Sequence, residues 1–268
     1  MPLPKKIAII GVGLIGGSIA MGLKQRLGSK ITILGACSTL KRAKITQSIH
    51  IIDQAVVDIN SIPGDVQIVI LASPIHTNIK LIKRFASLNS KNTVFIDISS
   101  TKSQIAFLAR KLSLPFIPTH PMAGKESSGF ENADANLFVN KPWIVCPGSN
   151  VKPQLKEMVE NLIALLGANI ILMDPGKHDE LIGLVSHLPL FVSHVLLSTI
   201  HKKERKKTIA AISSTGFQDM TRLAHHNDTL KNDILKTNRK NVIAHLSLFS
   251  QELNLFINQS RNQSYEHI

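Results

Sequence analysis

The sequence predicts an α/β protein, a doubly wound parallel sheet followed by an all-helical C-terminal region, and three observations carry that prediction. Short β-rich runs alternate with helical periods from Lys5 to about Asp174, the pattern of a parallel sheet covered on both faces. Strand signals stop after Asp174-Pro175-Gly176, and the remainder reads as helices. Between the first β run and the first helical run stand Gly11, Gly13 and Gly16, spaced as G-x-G-x-x-G.

The strand candidates, in order, are residues 6–10, 31–35, 67–72, 93–98, 116–119, 143–146 and 169–173, with helices between several of them, such as 77–88 and 153–166. Pro115, Pro118 and Pro121 bracket the fifth strand; proline cannot donate to a ladder, so this strand is expected to be short or near an edge. The helical patterns beyond Gly176 cover 178–201, 207–214 and 228–245, continuing to about 261. Two domains are therefore expected, residues 1–174 and 175–268. The helical one has long apolar faces and is too small to bury them alone, which implies packing on the first domain and on a second copy in a homodimer.

Composition narrows the function classes. The chain has 268 residues and a formal net charge of +13, but its cations are scattered, and the densest run, Lys202 to Lys207, suits a solvated loop better than a nucleic-acid footprint. Aromatics are only 4 % of residues, too few for a base-stacking platform. Two distant cysteines, Cys37 and Cys146, suggest neither a disulfide framework nor a metal site, and fit a reducing cytoplasm. The apolar stretch 7–23 superficially resembles a membrane span, yet its four glycines are spaced as strand, tight turn and helix start, so no membrane partner is expected.

The glycine spacing has a physical reading. The first glycine permits the turn, the second lets backbone approach a pyrophosphate, and the third lets helix and strand pack closely, while the helix N-terminus favours negative charge. A Rossmann-like site for a dinucleotide is thus expected, with Gly11, Gly13, Leu14, Ile15 and Gly16 as its phosphate contacts. The second strand of such folds normally ends in an acid that holds the ribose hydroxyls of NAD. Residues 36–42 contain none and offer Ser38, Thr39, Lys41 and Arg42 instead, which suits a 2′-phosphate and hence NADP; the two cations equally suit the opening of a solvated helix. Ser73 and Pro74, following the third strand, are expected beside the nicotinamide.

Three polar clusters stand in apolar surroundings: residues 97–102, 119–129 and 186–189. The first two follow strands, where doubly wound folds place their ligands, and His120 is the best acid/base candidate among the eleven histidines. With G-x-G-L-I-G-G-S at Gly11 to Ser18, D-x-x-S-x-K at Asp97 to Lys102, H-P-M-A-G-x-E at His120 to Glu126, His178-Asp179, S-H-L-P at Ser186 to Pro189 and G-F-x-D-x-T-R at Gly216 to Arg222, the chain resembles the prephenate and arogenate dehydrogenase family over nearly its whole length.

The resemblance implies an NAD(P)-dependent oxidative decarboxylation on the route to tyrosine: hydride leaves the ring carbon bearing the 4-hydroxyl while the ring carboxylate departs as carbon dioxide. It implies His120 as base or hydrogen-bond acceptor, Ser100 as its orienting partner on the nicotinamide side, and Arg222 as the arginine that grips a substrate carboxylate, oriented by Asp219. Glu126, His178 and His187 fall on the substrate side by the same resemblance. Two positions depart from the family pattern. Leu190 replaces a second histidine, and Lys231 replaces a tryptophan; His194, one helical turn after Leu190, could reach the same space. His187 and His194 equally suit hydrogen-bonded core positions. Rival readings are another two-domain dehydrogenase of the β-hydroxyacid or imine reductase type and a non-catalytic NADP-binding regulator. The first would lack the histidine segment at 120, and the second would have no use for His120, Ser100 and Arg222 together.

Overall fold

The computed structural model describes residues 2–37, 39–56, 58–87, 92–125, 127, 129–204, 206–225 and 227–261. Of the candidate residues, Ser38 and Glu126 lie outside these, as does the side chain of Arg42. The chain divides into two compact units, Met1–His178 and Asp179–Ile268.

The first unit alternates strands and helices: β1 (Lys6–Ile10), α1 (Leu14–Leu27), β2 (Thr32–Ala36), α2 (Leu40–Ser48), β3 (Gln54–Val56), β4 (Ile68–Leu71), α3 (Ile75–Phe85), β5 (Val94–Asp97), α4 (Ser103–Lys111), β6 (Phe116–Pro121), β7 (Pro142–Val145), α5 (Pro153–Leu165) and β8 (Asn169–Leu172). The strands form one sheet in the order β3-β2-β1-β4-β5-β6-β7-β8. All neighbours are parallel except β6 and β7, which run antiparallel, so the doubly wound parallel sheet carries one reversed junction. Strand order turns back between β1 and β4, the crevice where such folds bind ligands.

Successive residues of β1 serve opposite layers, as expected of a strand buried on both faces. Ile7 and Ile9 pack with Ile19 and Leu23 of α1 and with Val159 and Leu162 of α5. Ala8 and Ile10 pack with Ile82 and Phe85 of α3 and Ile105 of α4. Each fully buried Leu or Ile of this kind contributes about 2 kcal/mol. The stretch that superficially suited a membrane span is thus β1, a glycine turn and α1.

Two expectations need correction. β3 was missed because it is three residues long with only Val56 buried, too short to show a period. β6 is neither short nor at an edge: it spans six residues and lies between β5 and β7. Its prolines are tolerated for local reasons. Pro118 still accepts a ladder bond from the Cys146 N–H (2.8 Å). Pro121 lies beyond the last paired residue of β5, Asp97 opposite Pro118, so its missing donor costs no bond there.

The helical segments that follow are α6 (Pro175–Ile182), a π-helical turn at Gly183–His187, α7 (Leu188–Lys203), α8 (Lys206–Ile212), α9 (Thr215–Thr221), α10 (Asp228–Thr237) and α11 (Arg239–Arg261). Pro189 has no N–H to give the preceding turn, and its ring would clash with the carbonyl four residues back; the widened turn before it absorbs that mismatch. Within the second unit, Leu190, Phe191, Ile234 and Val242 form a small core. The run Pro175–Lys203 is long and apolar enough to cross a membrane by length and composition. It also carries buried His178, Asp179, His187 and Ser193.

Candidate active site

The glycine loop closes β1 at the switch point. Gly11 has φ +106°, and a Cβ there would sit 2.6 Å from the Ala72 carbonyl oxygen, while one on Gly16 would fall 2.3 Å from the Gly11 carbonyl. Both positions therefore require glycine. A Cβ on Gly13 would meet nothing within 4 Å, so backbone there faces open space. Gly13 caps α1 without a side-chain bond, and its carbonyl accepts the Gly17 N–H at 2.8 Å. The N–H groups of Leu14, Ile15 and Gly16 belong to the first turn, which has no intrahelical acceptors. An open glycine before a helix start is a cradle that fits a pyrophosphate.

β2 ends at Ala36. Cys37 packs against the core with its Sγ 3.6 Å from Thr46 Oγ1, so its side chain is committed inward. Thr39 is exposed, and so is Lys41 in the first turn of α2. The nearby Asp53 carboxylate accepts from Lys24 Nζ (2.6 Å) and from the Ile33 N–H (2.7 Å).

The ends of β4, β5 and β6 carry the chemistry-bearing residues, and two buried side chains knit them together. Asp97, which ends β5, accepts hydrogen bonds from the Ser99 N–H (3.0 Å), the Thr119 N–H (3.2 Å) and Lys102 Nζ. Lys102 also donates to the Thr119 carbonyl at 2.7 Å, and the Thr119 hydroxyl donates to the Asp97 carbonyl at 2.6 Å. Asp97, Lys102 and Thr119 are fully or almost fully buried. This clasp fixes both ends of the loop bearing Ser100 and the residue before His120. The second side chain is Asn78 of α3, fully buried, whose amide donates to the Leu71 carbonyl (3.2 Å), the Ser73 carbonyl (2.9 Å) and Ser99 Oγ (3.0 Å). It joins the Ser73-Pro74 loop to the Ser100 loop. Its Oδ1 is buried without a partner.

Ser73 and Ser100 are half-buried, and Pro74 is exposed. The Ser73 hydroxyl donates to the Ile10 carbonyl at 3.2 Å, directly beside Gly11. His120, half-buried on β6, has its Nδ1 2.9 Å from Nε2 of His178, and the rings meet edge to face at 61°. His178 is fully buried on α6, where its backbone N–H donates to the Asp174 carbonyl at 2.8 Å. The first unit thus brings the glycine loop, Ser73, Pro74, Ser100 and His120 to one edge of its sheet. Asn78, Asp97 and Lys102 had no assigned role in the sequence reading. For Asn78 the available signal was a polar residue on the apolar stripe Ile75, Asn78, Ile82, Phe85 of α3.

In the second unit, His187 is buried in the π turn, with Nδ1 3.1 Å from Asn238 Nδ2, which also donates to the Asp179 carbonyl at 2.7 Å. Leu190 is buried against Phe191, Ile234 and Val242, whereas His194 is exposed. His194 therefore does not share the surroundings of Leu190, contrary to expectation: one turn along α7 separates a core position from a surface one. Lys231 donates to the Asp228 carboxylate (2.8 Å) and to the Ala224 carbonyl (3.3 Å). The Lys231 hydrogen bond, with the ammonium charge behind it, holds the Asp228 carboxyl below its ordinary range. Asp219 on α9 and Arg222, which opens the following 3-10 turn, are both exposed. Among the described residues, no group of three or more His, Cys, Asp or Glu is placed to hold a metal.

Comparison with known proteins identifies the family. Residues 19–172 match the family described as prephenate dehydrogenase, nucleotide-binding domain, and residues 174–268 match prephenate dehydrogenase, dimerization domain. The prephenate dehydrogenase of Lactococcus lactis subsp. cremoris is 34 % identical over 98 % of this chain and 74 % of its own length. A crystal structure of prephenate dehydrogenase from A. aeolicus, in complex with hydroxyphenyl propionate and NAD+, superposes with a TM-score of 0.90 at 27 % identity, covering 98 % of this chain and 92 % of that one. A crystal structure of Synechocystis arogenate dehydrogenase gives a TM-score of 0.81 at 28 % identity, covering 97 % and 93 %. With both halves matched, and with a nucleotide cradle beside a histidine-bearing strand end, the chain is a nicotinamide-dependent dehydrogenase belonging to the prephenate dehydrogenase family.

Proposed function

We propose that this protein oxidatively decarboxylates prephenate or arogenate with NADP as the preferred acceptor, a step towards tyrosine. The observation that carries the reading is the alignment, along one sheet edge, of the glycine cradle, Ser73 and Pro74, the Ser100 loop and His120. The bound nicotinamide supplies the hydride acceptor. His120 takes the proton of the substrate's 4-hydroxyl as the carbonyl develops, and hydride leaves the same carbon. The carbon–carbon bond to the ring carboxylate then breaks, carbon dioxide departs, and the bonding pair completes the aromatic ring. The phenolic oxygen takes its proton back from His120, so His120 ends the cycle as it began. Ser100 orients the hydroxyl.

Arg222 would grip a substrate carboxylate with its planar pair of donors, with Asp219 orienting it. Glu126 and His187 complete the substrate side, together with His178 acting through His120. Phosphate contacts come from Gly11, Gly13, Leu14, Ile15 and Gly16, and the 2′-phosphate falls to Ser38, Thr39, Lys41 and Arg42. Residues 1–174 serve the cofactor; residues 175–268 serve substrate binding and dimerisation. Support for a homodimer is the exposure of Leu248, Phe249, Leu255 and Phe256 along α11. We place the enzyme in the cytoplasm, where its cofactor and two cysteines outside any disulfide belong. Steady-state assay of prephenate and arogenate, each with NAD and with NADP, tests the proposal. Turnover of neither acid with either cofactor would overturn it.

A further inference from the structure

We infer that His178 is a positioning residue that fixes the working tautomer of His120: its Nε2 accepts the Nδ1–H of His120, leaving the lone pair of His120 Nε2 to face the substrate. This rests on the reaction proposed above and specifies how its base is held ready. The two ring nitrogens are 2.9 Å apart, so one proton lies between them and one ring must accept. Neutral imidazole carries its proton on one nitrogen only. If His178 Nε2 donated, His120 would carry its proton on Nε2 and could not take the hydroxyl proton there. With His178 accepting, Nδ1 of His120 holds the proton and Nε2 is bare.

The surroundings hold both rings in place. His178 is fully buried, so water cannot take its place, and its position is set by the first turn of α6 through the Asp174 carbonyl. The clasp of Asp97 and Lys102 on Thr119 fixes the other ring through the adjacent residue of β6. When His120 takes the hydroxyl proton it becomes imidazolium, and its Nδ1–H bond to His178 becomes charge-assisted. That gain exists in the transition state and not in the substrate complex, so it acts on kcat and leaves KM alone.

Three variants test this: H178L removes the acceptor, H178Q places an amide oxygen near the position of Nε2, and H120N removes the base. For H178L we expect kcat to fall about 10- to 100-fold, the scale of one hydrogen bond to a charged group, with KM for acid and cofactor within about twofold of wild type. H178Q should recover kcat to within about threefold of wild type, and H120N/H178L should be no slower than H120N alone, because the two act as one unit. Unchanged kcat in H178L, or the same further loss from H178L in the H120N background, would overturn the inference. A readout independent of turnover is nitrogen-15 NMR of histidine-labelled protein. His120 should be protonated on Nδ1 in the wild type and shift towards Nε2 in H178L. A wild-type His120 protonated on Nε2 would overturn the inference even if the enzyme proves to act on a different acid.

Discussion

Replacing Lys102 by methionine tests the buried clasp on which both the Ser100 loop and His120 depend. The side chains are similar in volume, so the change removes charge and hydrogen bonds more than packing. In the native protein Lys102 Nζ is bonded to Asp97 and, at 2.7 Å, to the Thr119 carbonyl, with no solvent exposure on either charged side chain. After the substitution Asp97 keeps the N–H groups of Ser99 and Thr119 but remains a buried carboxylate without its counter-charge. Breaking such a pair costs about 3 to 5 kcal/mol, a fifth or more of the ~5–15 kcal/mol that holds a domain folded. At about 2 to 4 °C per kcal/mol for a domain of this size, the melting temperature should fall by about 6 to 20 °C. Asp97→Asn in the Lys102→Met background removes the uncompensated charge, although its amide NH2 then faces one of the two backbone N–H donors, so it should recover part of the loss. Urea unfolding followed by circular dichroism, with thermal melts of the same proteins, measures both quantities. A K102M variant within 1 kcal/mol of wild type, or a double variant less stable than the single, would refute the reasoning.

Four further outcomes are expected. His120→Asn should retain cofactor affinity by calorimetric titration yet lose about a hundredfold or more in turnover, with Ser100→Ala showing a smaller loss of the same kind; near-normal turnover in the first would remove His120 from the mechanism. Asn78→Leu leaves the Ser73 carbonyl without its side-chain donor and the Leu71 carbonyl with only the Ile98 N–H, which should cost about 1 to 3 kcal/mol and weaken dinucleotide binding; unchanged unfolding and unchanged cofactor affinity would make Asn78 a bystander. NADP should be preferred to NAD, less so at high salt, and Ser38→Asp should shift the preference towards NAD, Cys37 being committed to the core; faster turnover with NAD in the unmodified protein, insensitive to Lys41→Ala with Arg42→Ala, would reduce those cations to surface charges. Light scattering should report a dimer at micromolar concentration, and Phe249→Asp with Phe256→Asp should shift it towards monomer; a wild-type monomer would contradict the role given to α11.

What was legible in the sequence was whatever a short stretch must do alone. The glycines at 11 and 16 are demanded by backbone geometry within a few residues, and the structure shows the clash that any side chain there would cause. The β1 run, buried on both faces, announces a covered sheet because four of its five residues, Ile7 to Ile10, are apolar. Helical period likewise marked α5 and most of α7. Where strands ran three residues, as in β3, the period had no room to appear.

Residue pairing across the sheet was decided by tertiary structure. Prolines on β6 argued for an edge by their missing donors, but strand order put them inside, and at Pro121 the early end of β5 removes the cost. Leu190 and His194 share a helix face by spacing, yet packing against α10 and α11 buries one and leaves the other exposed. His120 and His178 are 58 residues apart, Asn78 and Ser99 21 apart, and Asp97 and Thr119 22 apart. The sequence by itself determined the covered sheet, the cofactor turn, the absence of an acid after the second strand and the residue types that carry the chemistry. Strand order and register decided which of those residues meet, because hydrogen-bonded contact between distant side chains depends on where whole elements pack, and local periodicity does not encode that.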